Sequence, residues 1–244
     1  MPVAALYDIH SNLPALDAVL SEVLGSNVDR IVVGGDVVPG PMPHETLERL
    51  RNLELPVDFI TGNGELAVLA EAEDNDSAVP AQFREAVRWT AAQLSRVERE
   101  LLCSWPVTLQ MQIREIGRVL FCHATPHSPH DIFTRVTPEE SVRSLFGYMN
   151  ADLVMCGHTH MQFDRRIGEL RVVNAGSVGM PFGESAAYWL VVGPQIEFRR
   201  THYDLQSAAA RVRETEYPDA EAFAAQNILM PPSEEKMLRI FAQT

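Results

Sequence analysis

Seven side chains of metal-binding type follow apolar segments along this chain. They are Asp8, His10, Asp36, Asn63, His123, His158 and His160. The apolar segments predict buried strands, and ligands gather at the carboxyl ends of strands in open α/β sheets. Oxygen and nitrogen donors without cysteine suit Mn, Fe, Co, Ni or Zn better than Ca or Mg. Seven donors exceed one tetrahedral site, and they fit two divalent metal ions that share one carboxylate.

The spacing of these residues indicates which of them can act together. Asp8 and His10 lie two positions apart, so both side chains would point the same way on an extended segment. His158 and His160 have the same spacing, and in a loop they can serve different metals. Asp36 follows two glycines, which allow a sharp turn, so its carboxylate can bridge two cations. Two metals about 3.5–4 Å apart can clamp a phosphate and generate a bridging hydroxide, so the pattern predicts phosphoester hydrolysis.

Apolar periodicity and turn residues predict an α/β chain without internal repeats. Residues 3–33 form a strand–helix–strand unit, with Asn12 as the N-cap of the helix and Gly25 at its end. Further helices are predicted at residues 43–53, 80–103, 138–149 and 204–215 and at the C-terminus, and a loop at 71–80. Further strands are predicted at residues 57–61, 107–113, 118–122, 152–156, 162–167, 170–174, 186–192 and 195–202.

These elements predict two sheets covered by helices, in one domain of residues 1–244 with the C-terminal helices of residues 204–244 packed on it. The first half of the chain is expected to supply one sheet and the second half most of the other. In the long helix, the inner face is predicted to consist of Phe83, Val87, Leu94, Val97 and Leu101.

The order of the chemical motifs resembles that of a known family. The motifs are Asp8-Ile-His10, Gly35-Asp36, Gly62-Asn63, His123 and Gly157-His158-Thr159-His160. In this order they resemble the calcineurin-like metallophosphoesterase superfamily. The short length, the helix directly after His10 and the segment Asn174-Ala-Gly-Ser177 are similar to its small prokaryotic phosphodiesterase branch.

The resemblance implies a four-layer α/β/β/α sandwich of two mixed sheets flanked by helices, with metals at the sheet edges. It assigns one divalent metal to Asp8, His10, Asp36 and His160. It assigns the other to Asp36, Asn63, His123 and His158. It implies a phosphodiesterase or phosphomonoesterase that acts on a small phosphorylated or nucleotide substrate, often with Mn.

One position departs from the family pattern. The family commonly has a histidine after the Gly-Asn pair, where it protonates the leaving group, and this chain has Gly64 followed by Glu65. Loss of a positioned general acid typically costs about 10²–10⁴-fold in rate. The small prokaryotic branch often lacks this histidine, so the departure does not exclude activity.

Several nearby residues are candidates for the missing roles. Glu65 and His127 are candidate acid–base groups, and Asn63, His130, Arg135 and Ser177 are candidate substrate contacts. His44 could also reach over the metals. Each of these residues also has a purely structural interpretation. The histidines could be exposed loop residues, and Arg135 could form a surface salt bridge. Glu65 could be a first-turn residue favoured by the helix dipole, and Ser177 could support a metal ligand.

Composition and charge limit the binding partners and the cellular compartment that can be expected. The net charge of -13 argues against a nucleic-acid polymer, which needs clustered Lys and Arg. No apolar run reaches the roughly 20 residues of a membrane span, so no membrane partner is expected. The three cysteines, Cys103, Cys122 and Cys156, and a strand that begins near the N-terminus without a signal-peptide pattern predict a cytoplasmic protein with reduced thiols.

Two alternatives to the small-molecule enzyme remain open from the sequence. One is a metal-binding scaffold or regulatory protein on the same fold that has lost catalysis, which Gly64 supports. The other keeps the enzyme and makes it a phosphoprotein phosphatase or a dinucleoside polyphosphate hydrolase. The Met- and Pro-rich segment at residues 229–232 could be a lid or a contact in a homo-oligomer.

Overall fold

The computed structural model describes residues 2–73, 75, 79–147 and 149–243, and within them ten strands form two five-stranded sheets. The strands are β1 (Val3–Leu6), β2 (Arg30–Val33), β3 (Val57–Phe59), β4 (Thr108–Ile113), β5 (Gly117–Cys122), β6 (Leu153–Cys156), β7 (Phe163–Ile167), β8 (Leu170–Asn174), β9 (Ala187–Val192) and β10 (Ile196–Thr201). The first sheet has the order β10-β9-β1-β2-β3 and the second β4-β5-β6-β8-β7. In the first sheet β1, β2 and β3 are parallel, and β9 and β10 are joined to them by antiparallel pairing. In the second sheet β5, β6 and β8 are parallel, and the edge strands β4 and β7 are antiparallel to their neighbours.

Helices flank both sheets. They are α1 (Leu13–Leu24), α2 (Pro43–Arg51), α3 (Asn63–Ala72), α4 (Arg84–Gln93), α5 (Arg96–Cys103), α6 (Glu139–Phe146), α7 (Leu205–Arg213), α8 (Ala220–Phe223) and α9 (Glu234–Phe241). A 3₁₀ turn precedes α4, and a π-helical segment, Ala224–Leu229, follows α8. None of the helices in the described ranges combines the length and the apolar sequence needed to cross a membrane.

Three apolar layers separate the four structural layers. Along β1, Val3 and Ala5 face the second sheet, and Ala4 and Leu6 face the helices, as the two-residue period of a strand requires. Between the sheets, Tyr7 packs in the same layer as residues of β5, β6 and β8. The outer face of the second sheet packs against α6. The predicted four-layer sandwich of two mixed sheets is therefore confirmed.

The predicted division of the sheets between the two halves of the chain is wrong in one respect. After β8 the chain returns to the first sheet, where β9 pairs antiparallel with β1 and β10 pairs with β9. Alternating apolar residues in β9 place Trp189 and Val191 against the helices and Leu190 and Val192 between the sheets. Both faces of β9 are thus covered, which the edge of the second sheet would not provide.

The helix starts follow local capping chemistry. The Asn12 side chain accepts a hydrogen bond from the Ala15 N–H at 3.3 Å, and Gly25 ends α1, as predicted. The single helix predicted over residues 80–103 is wrong, because Leu94 is extended and Ser95 is the N-cap of a separate helix, α5. Ser95 and Glu98 exchange side-chain-to-backbone hydrogen bonds, a capping box that starts a new helix.

The break also changes the inner face of this region. Val87 and Leu94 are buried as predicted, whereas Phe83 and Val97 are exposed. The loop predicted at 71–80 lies partly outside the described residues, and α3 continues through its first two positions. The helix predicted over 138–149 ends at Phe146, with Gly147 at a positive φ of 53°, and position 148 lies outside the described residues.

Candidate metal centre

The seven predicted ligands lie on loops at the carboxyl ends of β1, β2, β5 and β6 and at the start of α3. Backbone hydrogen bonds hold the first two loops together: the His10 N–H donates to the Asp36 carbonyl at 2.9 Å. Gly157 lets the end of β6 approach the same place, because a Cβ there would lie 2.5 Å from the Asp8 carboxylate. The loops therefore meet where the two sheets face each other.

Five of the seven ligand residues have a left-handed backbone. The φ values are 53° at Asp8, 46° at His10, 52° at Asp36, 66° at His158 and 56° at His160. The expectation that Asp8 and His10 lie on an extended segment is therefore wrong. Such a conformation costs an L-residue about 1–2 kcal/mol, and strain of this kind gathers at functional sites. The strands that precede these loops hold the left-handed backbone in place.

The ligand atoms form two groups. The first ligand group is Asp8, His10 and His160, and the second is Asp36, His123 and His158, with ligand atoms within 4.8 Å of one another in each. Asp36 lies between the groups: its Oδ2 is 3.6 Å from His10 Nε2, and its Oδ1 is 3.5 Å from His123 Nε2. The structure thus gives Asp36 the geometry of a shared ligand.

Asn63 lies beside the second ligand group. Its side-chain oxygen lies 3.0 Å from His123 Nε2. As the first residue of α3, it also brings the positive end of a helix dipole toward the site. All seven predicted ligands are therefore gathered at one place.

The imidazoles are oriented for binding a cation. The Nδ1 atoms of His10, His123 and His160 face backbone carbonyls of Pro39, Gly34 and Met180 at 3.3, 2.9 and 2.6 Å. A proton on Nδ1 leaves Nε2 as a lone-pair donor, the usual arrangement of a metal-binding histidine.

The inward atoms fit divalent metals. His10 Nε2 and His160 Nε2 lie 3.4 Å apart, close enough to share one cation. Asp8 Oδ1 is buried, 3.3 Å from His160 Nε2 and 3.8 Å from His123 Nε2. A buried carboxylate oxygen among imidazole nitrogens is a favourable place for a cation. The nitrogen and oxygen donor set agrees with Mn, Fe, Co, Ni or Zn.

Electrostatics also favour positive charge here. Burial lowers the pKa of His10, and burial together with His123 lowers the pKa of His158 to about 4, so both rings are neutral near pH 7. Burial opposes protonation of His123 and His160 as well, but Asp36 and Asp8 outweigh it and raise their pKa values. The carboxylates therefore draw either protons or metal ions to this place.

Glu65 lies beneath the second ligand group and is fully buried. Its Oε2 accepts from the N–H groups of Asp36 at 2.8 Å and Gly62 at 2.7 Å, and its Oε1 from those of Val37 and Val38 at 2.7 and 3.1 Å. Burial and the Asp36 carboxylate raise the pKa of Glu65 to about 7, whereas the four donors match its ionised form. With both oxygens occupied, Glu65 positions the Asp36 loop, which the geometry favours over the predicted acid–base role.

Ser177 and Asn174 support the ligand loops from below. The buried Ser177 hydroxyl donates to the Asp8 carbonyl at 2.7 Å and accepts from the Met180 N–H at 2.8 Å. The Asn174 amide donates to the Gly157 carbonyl at 2.5 Å. Ser177 holds the backbone of Asp8, and Asn174 holds that of Gly157 next to His158, so the geometry favours this supporting role for Ser177 over a contact with substrate.

The candidate acids in the loops are not brought to the ligands. His127 and His130 are exposed, and the His127 ring lies toward Gly147 at the end of α6. His44 forms an ion pair with Glu98 at 2.6 Å. Among the described residues, none of these rings contacts a ligand group. Arg135 does lie near the centre, 3.9 Å from the sulfur of Met161, which follows His160.

Two features of the site carry no signal in the sequence. The Phe182 ring stacks on His160, with ring centroids 5.2 Å apart. The carbonyls of Pro39, Gly34 and Met180 orient the histidines, but backbone acceptors cannot be read from residue types. By contrast, Glu65 had a signal in the sequence, since the helix dipole favours a glutamate in the first turn of a helix.

Comparison with known proteins agrees with this geometry. The model of the calcineurin-like phosphoesterase superfamily domain matches residues 1–193. An uncharacterized protein of Methanocaldococcus jannaschii is 29% identical over 238 residues, covering 89% of this chain and 94% of that protein. A crystal structure of a hypothetical protein from Pyrococcus horikoshii shares the fold, with a TM-score of 0.80 and 20% identity, and covers 95% of this chain and 99% of its own.

A second crystal structure, of a metallophosphoesterase from Sphaerobacter thermophilus, has a TM-score of 0.72 and 26% identity, and covers 92% of this chain and 99% of its own. The family match spans all seven predicted ligand residues. This chain therefore belongs to the calcineurin-like phosphoesterase superfamily and is a phosphoester hydrolase.

Proposed function

We propose that this hydrolase uses two divalent metal ions, Mn foremost, and acts on a small phosphorylated molecule, with phosphodiesters preferred over phosphomonoesters. The observation that carries the proposal is the position of Asp36 between two ligand groups, with one oxygen toward His10 and the other toward His123. A carboxylate in this position can serve both metals of a dinuclear site.

The positions of the residues indicate which of the two cations each residue would hold. The first ligand group with Asp36 would hold one cation, and the second ligand group with Asn63 would hold the other. Two such cations supply positive charge for phosphate oxygens and lower the pKa of water. The chain's own contribution is orientation: Glu65 fixes the Asp36 loop, and backbone carbonyls fix the imidazole tautomers.

The missing side-chain acid limits the leaving group, and the charge beside the centre supports the preference for diesters. Gly64 supplies no acid, and the loop histidines do not reach the ligand groups, so leaving groups that depart without a proton are favoured in either class of ester. Arg135, the cation beside the centre, is paired with Glu234 at 2.6 Å. A monoester near pH 7 carries up to about two negative charges and a diester one, so a neutralised arginine helps the monoester less.

The test is hydrolysis of bis-p-nitrophenyl phosphate and p-nitrophenyl phosphate by protein loaded with Mn, Ni or Zn. We expect metal-dependent turnover of both, with a higher kcat/KM for the diester. A higher kcat/KM for the monoester would contradict the stated preference. Tight metal binding without turnover of either ester would instead favour the scaffold alternative.

A further inference from the structure

The C-terminal helix α9 lies beside the metal centre, although none of its residues is buried. Phe241 in its last turn contacts Phe182, with centroids 6.1 Å apart, and Phe182 stacks on His160. Just before the helix, the Pro232 carbonyl accepts from the Gly183 N–H at 2.8 Å. Helix α9 therefore forms a wall of the site on the side of His160.

The same wall carries an ion pair. Glu234, the first residue of α9, binds Arg135 at 2.6 Å, with side chains 40% and 36% exposed. Glu234 also lies against Gly183, since a Cβ on that glycine would be 3.2 Å from its Cγ. Arg135 in turn contacts Met161, the neighbour of His160 in sequence. The pair thus sits at the rim, within reach of solvent and next to a metal ligand.

Neighbouring charges on this side are already engaged. Arg200 forms an ion pair with Glu184. Arg165 donates to the carbonyls of Thr134 and Thr137 at 2.8 and 2.9 Å and so holds the turn that carries Arg135. Of these three arginines, Arg135 is the one that contacts the sequence neighbour of His160, and its charge is paired with Glu234.

We propose that Glu234 determines the charge specificity of the site by neutralising Arg135, and that Arg135 is the side chain that contacts the substrate phosphate. This inference rests on the proposed function, because it assigns the discrimination between monoester and diester to a particular ion pair. With the pair intact, the rim adds little attraction for the second negative charge of a monoester. With Glu234 uncharged, Arg135 attracts that charge.

The test compares Glu234→Gln with Glu235→Gln, the adjacent exposed position on α9 that pairs with Arg239. In Glu234→Gln, we expect the KM for p-nitrophenyl phosphate to fall roughly fivefold. This is the change in affinity expected from one additional attraction between unit charges at a partly exposed position. The KM for the diester, which carries one negative charge, should fall less, roughly twofold. The kcat values and all parameters of Glu235→Gln should stay close to wild type. A general loosening of the structure would change kcat as well.

Binding of inorganic phosphate to the Mn-loaded protein, measured by calorimetry, gives a readout without turnover. It should tighten roughly fivefold in Glu234→Gln and return to the wild-type value when Arg135→Gln is added. Equal phosphate affinity in Glu234→Gln and Glu235→Gln would overturn the inference. Lack of hydrolysis by the wild type would overturn the proposed function instead, since phosphate binding would still report on the ion pair.

Discussion

Replacement of Asp36 by asparagine is expected to lower the rate of diester hydrolysis by at least about 10³-fold. The substitution weakens an electrostatic stabilisation of the transition state of several kcal/mol, and each 1.36 kcal/mol lost from this stabilisation lowers the rate about tenfold. The substitution keeps the shape but removes a negative charge between the two ligand groups. It also turns an amide nitrogen toward either His10 Nε2 or His123 Nε2, which now face carboxylate oxygens at 3.6 and 3.5 Å. Steady-state kinetics at saturating Mn measures the effect.

The control for this variant is Asp164→Asn, which removes an exposed carboxylate paired with Arg171 at 2.6 Å on β7. Its activity should equal that of the wild type, because a surface pair of this kind contributes little. If Asp36→Asn keeps more than about a tenth of the wild-type kcat/KM, Asp36 is not the shared ligand.

Restoring a histidine at position 64 is expected to damage the protein rather than to increase its activity. A Cβ on Gly64 would lie 2.2 Å from the Val38 carbonyl oxygen and 2.9 Å from Asp36 Oδ1. The first contact is with backbone, so the loop that carries Asp36 must move. Overpacking of this kind costs about 1–3 kcal/mol or more, and here it also displaces the hydrogen bond from the Gly64 N–H to Asp36 at 2.7 Å.

Urea unfolding and Mn titration of Gly64→His measure this expectation, and Gly25→His is the matched control. Gly25 is exposed at the end of α1 with a φ of -85°, and its added Cβ would make ordinary contacts at 3.5 Å. The control should change the free energy of unfolding by less than about 0.5 kcal/mol. A stable Gly64→His variant with faster diester hydrolysis would show that the family's histidine position is open in this chain.

The residue types and their order were sufficient to predict much of the fold and the set of candidate ligands. Strand ends could be recognised because apolar runs such as residues 31–33 stop at glycine and a polar residue. The parallel strands β1 and β2 then had to bring Asp8 and Asp36 to one edge of the first sheet, and the packing of the second sheet against the first brings His123 to the same place. The start of α1 was also local information, since Asn12 caps the helix with its own side chain.

Other features depend on contacts between distant residues. The left-handed backbone of His158 and His160 follows from the packing of their loop against Asp8, whose carboxylate accepts from the His158 N–H at 2.9 Å. The residue pattern of β9 does not indicate whether this strand pairs with β1 or joins the second sheet. The position of α9 beside His160 rests on the contacts of Phe182 and Glu234, and neither residue belongs to a motif.

The measurement that tests the central claim most directly is the rate of bis-p-nitrophenyl phosphate hydrolysis as Mn is added stepwise to metal-free protein. Two ligand groups that share Asp36 predict two bound metal ions per chain, with full activity only when both are present. A rate that reaches its maximum at one metal ion per chain, or two bound ions without hydrolysis, would contradict the account of a dinuclear phosphoesterase.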